Sequence, residues 1–327
     1  AITVKTTSVD IVIRNTYFRN NIDKHFRYYG RAVSFPYSST GWHINSIFFE
    51  NCTFANIGYV YMQEGGEYGD DVRFNHCTFL NVVMFTLQSG WWKTMYVTNS
   101  LFVNTFMFGD IPATRGNGDP NGGTIRIDSV KNFGFVPPFT DAERKIYFGY
   151  NSYGLEPWLI DWMANCPYSQ TKRRNRENDQ IPVPMPMLSP GTLRFFDTVD
   201  VKTGKKVFPL MNREKLYDGI VPDFKLAPTN RDSLKSFMNR KWNDNTDTDW
   251  SWKIKENSMI GKWPPEENLS YTTPTLRTGA MGGFPLGDLY LWWPDEYAKW
   301  KAQSAAEYAT IENKLNKGLT DVKEISN

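Results

Sequence analysis

The sequence predicts an all-β fold, a stack of parallel β-coils, from three observations. A short pattern recurs, its recurrences are nearly periodic, and its apolar residues alternate. The anchors are Phe18, Phe54, Phe79 and Phe102, and the last three are 25 and 23 residues apart. Two residues after each comes an asparagine: Asn20, Asn56, Asn81 and Asn104. Three residues before come Asn15, Asn51, His76 and Asn99; two before come Thr16, Cys52, Cys77 and Ser100. Five and seven before are apolar pairs such as Ile13 and Ile11, or Phe74 and Val72.

A fixed period of this size signals stacked repeats. Alternation at i and i+2 puts both side chains on one face of a strand. The asparagines read as sharp bends, because Asn tolerates the left-handed backbone region. Coils of this kind stack about 4.8 Å apart, so equivalent residues form a Phe ladder and an Asn ladder. About six coils are expected, with Tyr150-Asn151-Ser152-Tyr153 a degraded copy of the motif.

The run apolar-x-apolar-x-Asn-Cys-Thr-Phe-x-Asn resembles the right-handed parallel β-helix of pectate-lyase-like proteins, over roughly residues 9–165. The tail, with Pro274, Gly282-Gly283-Phe284-Pro285-Leu286-Gly287-Asp288 and Trp292-Trp293-Pro294, is similar to secreted β-helix proteins of environmental bacteria related to the Bacteroidetes. These resemblances imply export to the cell surface or beyond. They imply no particular chemistry, since one scaffold carries many functions.

Three regions are expected: a β-helix over 1–165, an extended Pro/Trp-rich arm over 166–294, and a C-terminal helix with its tail over 295–327. Pro182, Pro184, Pro186 and Pro190 favour extended polyproline structure in the arm. Its tryptophans, Trp242, Trp250, Trp252, Trp263, Trp292 and Trp293, argue against disorder and for packing on its own body or a neighbour. Pro294 suits a helix start and Gly318 a stop. Tyr297, Trp300, Tyr308, Ile311 and Leu315 recur at helical steps, forming a docking stripe for the chain's own body or another copy. The chain begins at Ala1, inside what reads as a coil, and so is expected to be processed or truncated.

Bulk composition excludes little. A formal net charge of +2 gives no electrostatic case for nucleic acid. No apolar run reaches the length of a membrane span. Three cysteines make no disulfide framework, and Cys52 and Cys77 are expected to stack inside as free thiols.

The strand after each Asn bend reads Tyr59-Val60-Tyr61-Met62-Gln63, Met84-Phe85-Thr86-Leu87-Gln88 and Phe106-Met107-Phe108. A lyase cleft on that sheet would need carboxylates and a basic partner. An apolar face there predicts a covered surface instead. The leading expectation is therefore a secreted, non-catalytic protein that builds an extracellular or cell-surface filament, tube or layer through its C-terminal arm, with itself as partner. The enzymatic alternative is a polysaccharide lyase or glycoside hydrolase using Asp70, Asp71, Asp110, Arg115 and Asp119. The third is a carbohydrate-binding module stacking sugars on Trp91 and Trp92. No cofactor is expected; the one calcium candidate is the alternating Asn245, Asp247 and Asp249, which lack the glycine and distal glutamate of an EF-hand.

Overall fold

The computed structural model describes residues 2–22, 30–35, 40–62, 66–88, 91–113, 123–130, 136–228, 230–243 and 264–318. Its first strands are β1 (Ile2–Thr3), β2 (Asp10–Arg14), β3 (Tyr17–Arg19), β4 (Arg31–Ser34), β5 (Thr40–Ile44), β6 (Ser46–Glu50), β7 (Thr53–Ile57) and β8 (Tyr59–Met62). Then come β9 (Gly66–Asn75), β10 (Thr78–Val82), β11 (Leu87–Gln88), β12 (Trp92–Thr98), β13 (Leu101–Thr105), β14 (Lys145–Gly154) and β15 (Met211–Asp218).

These strands pair in parallel as three ladders. The first runs β2-β6-β9-β12-β14-β15 in constant register, so Ile11, Ile47, Val72, Met95, Ile146 and Met211 are successive neighbours. The second runs β3-β7-β10-β13 and continues into the later halves of β14 and β15. Because β14 and β15 bend from one ladder into the other, both ladders belong to one curled eleven-stranded sheet. The third, β1-β4-β8-β11, is a separate four-stranded sheet.

The bends explain the curl. Asn15, Asn51, His76, Asn99, Tyr150 and Lys215 each take a positive φ, between 44° and 59°, at the same point of six successive rungs. Asn20, Asn56, Asn81 and Asn104 form a second such row. In that row each amide donates to the rung before: Asn56 Nδ2 to Asn20 Oδ1 at 3.0 Å, then Asn81 to Asn56 and Asn104 to Asn81, both at 3.1 Å. Asn104 also donates to Glu156 at 2.7 Å, and that carboxylate ends the row.

Inside, Phe18, Phe54, Phe79 and Phe102 stack face to face with centroids 4.8, 5.3 and 4.4 Å apart. Phe49 and Phe74 form a parallel pair 4.9 Å apart. Cys52 and Cys77 are free and buried beside them. Burial pushes the Cys77 thiol well up, so it stays protonated and packs as a small apolar group.

The chain is not all-β, and the region after the coils is not an extended arm. About 30% of the structure is helix and 33% strand. Seven α-helices occur among the described residues: α1 (Pro157–Asn165), α2 (Pro167–Arg174), α3 (Pro190–Asp197), α4 (Arg231–Asn243), α5 (Pro274–Arg277), α6 (Leu289–Trp292) and α7 (Pro294–Lys317). Five of these begin at a proline. At the first helical position proline's missing N–H costs nothing and its φ is already helical, so these prolines start helices rather than extend the chain. Of the prolines expected in the arm, Pro182, Pro184 and Pro186 lie in a stretch outside the helices: Val183 bridges Asp110, and Pro186 and Met187 accept backbone bonds from Thr124 and Ile125. The sixth rung, β15, also comes from this region.

Phe79 is fully buried between two stacked rings. Phe79→Ala should lower the unfolding free energy by about 3–5 kcal/mol, read as a fall in the denaturant midpoint. A loss under about 1 kcal/mol would show that the ladder can repack around the gap.

Candidate functional site

Among the described residues, later parts of the same chain pack on the strand after the second bend and on both ladders of the curled sheet. The Tyr/Met/Phe face is covered by helices: Tyr59, Met62, Met84, Phe106 and Phe108 pack with Trp158, Leu159, Trp162 and Met163 of α1 and Leu234, Phe237 and Met238 of α4. Trp162 is fixed by an indole bond to Asn239 at 2.8 Å. This face is therefore covered by the chain's own helices.

Residues 267–293 cover the second ladder. Ala55, Leu80, Leu101 and Val103 pack against Leu269, Tyr271, Leu276, Leu286 and Leu289. Polar contacts set the register. Met281 N–H donates to Asn99 Oδ1 at 2.9 Å, and Leu289 N–H to Asn51 Oδ1 at 3.1 Å. The bend asparagines thus hold their own turns and also read the covering segment.

Asp288 is the centre of this contact. Its N–H donates to Thr78 Oγ1 at 2.9 Å, and its carboxylate accepts from Thr53 Oγ1 at 2.7 Å and from Leu291 N–H at 3.1 Å. Trp292 Nε1 donates to the same Thr53 hydroxyl at 2.9 Å. Gly287, with φ +90°, has its Cα so close to Thr78 that a Cβ would meet Oγ1 at 2.4 Å. Burial raises the Asp288 carboxyl to about 7.

Helix α7 covers the first ladder. Its 24 residues span about 36 Å, more than the roughly 24 Å between first and sixth rungs. Tyr297 accepts from Asn15 on the first rung at 3.4 Å. Tyr308 bonds Glu50, and Glu307 accepts from Asn75 at 2.8 Å and lies 3.3 Å from His76. Burial pushes the Glu307 carboxyl up, but His76, Asn75 and Trp300 outweigh it and hold the group below its ordinary value. Glu312 pairs with Arg73, and Lys314 with Glu214 on the sixth rung. Of the predicted stripe, Trp300, Ile311 and Leu315 are buried against the chain's own sheet, and Tyr297 and Tyr308 are partly so.

Trp91 and Trp92 are 1% and 0% exposed. Trp91 lies in a cluster with Tyr68, Val130 and Phe139, and Trp92 in the main core against Tyr61. Their ring faces meet protein, which leaves no platform for a sugar. Asn245, Asp247 and Asp249 lie outside the described residues, as do Arg115 and Asp119. Among the described residues no group of three or more His, Cys, Asp or Glu is placed to hold a metal ion, and no helix is long and apolar enough to cross a membrane.

Asp70 and Asp71 lie in β9 and not in a loop. Asp71 pairs with Arg73 at 2.7 Å, and Asp110 exchanges backbone bonds with Val183. Asp70 meets His43 Nδ1 at 2.7 Å, with the imidazole stacked on Tyr68 at 4.7 Å. Sequence reasoning missed that pair, because His43 and Asp70 sit on neighbouring rungs and share no local motif.

A cavity of ≈ 580 Å³ lies at the last rung, lined by Phe148, Met187, Leu188, Leu216 and Tyr217 among others. There the ladders change character. Arg213 occupies the inward row of Ile13, Phe49, Phe74, Val97 and Phe148, and Asp218 ends the row of stacked phenylalanines and Tyr153. Arg213 is tied to Asp197 of α3 by bonds of 3.1 and 2.9 Å.

No protein-family model, curated protein or solved structure matches the chain. The resemblance to pectate-lyase-like proteins therefore rests on the repeated residues, and the curled parallel sheet is the coarser feature that agrees with it.

Asp288 yields a pH prediction. Its folded-state value, about 7, lies above the ordinary 3.8, so folding favours the protonated form. That contribution is complete below the ordinary value and is lost as pH rises through about 7. It amounts to at most about 4 kcal/mol. Asp288→Asn should flatten the fall in stability between acid and neutral pH, measured by urea unfolding at several pH values. An unchanged slope would mean that Asp288 titrates alike in the folded and unfolded chain.

Proposed function

We propose that the protein is a non-catalytic structural component of an extracellular or cell-surface assembly, built on a curled sheet related to the parallel β-helix of pectate-lyase-like proteins. One observation carries this reading: the outward faces on which such a scaffold would offer a cleft are occupied by α1 and α4, by residues 267–293 and by α7. Helix α7 reaches from the first rung to the sixth and ties them into a rigid block. The C-terminal segment clads the sides of the stack and so hardens the building block. Export and self-association remain part of the proposal.

The enzymatic alternative has one observation in its favour. His43 and Asp70 are 19% and 33% exposed, and a carboxylate on Nδ1 orients an imidazole for proton transfer at its other nitrogen.

A panel of acidic and neutral glycans separates the two readings. The structural reading expects no sugar release, and particles of more than one copy by light scattering and electron microscopy. Release that disappears in His43→Ala would establish the enzyme instead.

A further inference from the structure

We propose that the cavity at the sixth rung binds a small organic cation, an ammonium group on an apolar body. Asp218 takes the charge, and Phe148, Met187 and Leu188 take the body. The site does not depend on how copies assemble.

The cavity follows from the sequence of β15. In the preceding rungs apolar side chains, most of them aromatic, fill the two inward rows that flank the bend. Strand β15 instead sets Arg213 after Phe148, Leu216 after Asn151 and Asp218 after Tyr153. Arg213 reaches out to Asp197 of α3 at 3.1 and 2.9 Å, and the short side chain of Asp218 cannot fill the place of a ring. The space left open is ≈ 580 Å³, within the range of about 300–1,000 Å³ usual for small-molecule sites. The chain does not stop at this rung. Ile220 also lines the cavity, and Ile220, Val221 and Phe224 pack with the segment over the second ladder.

Four charged residues line the cavity, and three are engaged elsewhere. Arg213 has its fork on Asp197. Glu214 accepts from the Tyr147 phenol and from Lys314. The Lys215 ammonium lies 4.7 Å from the centre of the Tyr150 ring. Asp218 is the fourth. It is exposed, and among the described residues its carboxylate makes no ion pair. It stands in the inward row: burial first, and then the Asp218 charge, push the Tyr153 phenol above its ordinary value. That phenol donates to the Met185 carbonyl and so does not serve Asp218.

The opposite wall is apolar. Phe148, Met187 and Leu188 are buried, and Phe148 is held edge-on by Phe196 at 5.5 Å. A carboxylate without a partner beside such a wall selects among ligands. A neutral apolar body strips water from it and returns nothing, and an anion is repelled. An ammonium group restores the lost hydrogen bonds with charge-assisted ones.

The test titrates the full chain by calorimetry with three probes of one shape: 2-phenylethylamine, 2-phenylethanol and 3-phenylpropanoate. The amine should bind in one equivalent, and the alcohol and the carboxylate at least about tenfold more weakly. Asp218→Asn keeps the shape and removes the charge, so the amine should fall to the level of the alcohol. Leu216→Trp sets a ring into the cavity and should weaken amine and alcohol alike; Leu216 is 38% exposed, so this variant serves if Asp218→Asn does not fold. A wild type that binds no amine at millimolar concentration would overturn the proposal. So would equal binding of amine and alcohol, or amine binding that ignores either substitution. Solution mass and glycan release bear on the structural reading alone.

Discussion

The fold depends on a left-handed bend repeated at one position in every rung. A positive φ costs most residues energy and costs Asn less, since its short polar side chain can bond locally. Six such bends stand in line, and five of the pairings between their strands keep one register. Once the bends coincide, side chains of equal position must fall on one another. Stacked phenylalanines, buried thiols and the amide row ending at Glu156 all follow from that alignment. A bend moved by one residue in a single rung would turn inward residues outward there.

The same asparagines explain why the rest of the chain packs where it does. A bend asparagine has more hydrogen-bonding capacity than its own turn consumes. Asn51 and Asn99 spend the remainder on backbone N–H groups of Leu289 and Met281. Residues 182 and 238 positions apart are thus brought into fixed relation by polar groups, and apolar burial follows along the same line. Asp288 sits where these contacts concentrate, buried among hydroxyls. Such a carboxyl is held by specific bonds at a cost in desolvation.

The coils were legible in the sequence where the pattern is regular. Phe54, Phe79 and Phe102 repeat at short intervals, and their asparagines mark the bends. The sixth rung was not legible. Lys215 stands at its bend, Arg213 and Asp218 stand in its inward rows, and a chain of some sixty residues separates it from β14. The prolines misled for a related reason. Proline disfavours a helix interior but is welcome at its first position, and composition alone does not distinguish the two. The burial of Trp91 and Trp92 was equally hidden, because what packs on them comes from distant residues on both sides in sequence, Tyr61 and Tyr68 before and Val130 and Phe139 after. The His43–Asp70 pair needed the register of β5 on β9 before it could be seen.

The irregular sixth rung has a physical purpose. A stack of parallel rungs has two ends, and each exposes strand edges and the cross-section of its core. Charge in the inward rows, with Arg213 tied to Asp197 and α3 packing Phe196 against Phe148, closes one end. The first described rung keeps Ile11, Ile13 and Phe18 in those rows, half-buried where Phe49 and Phe54 behind them are fully buried. The same rows therefore begin in apolar side chains that continue the core and finish in charge held under a helix, so the last rung departs from the pattern where the ladder no longer has another rung of the described residues to stack on.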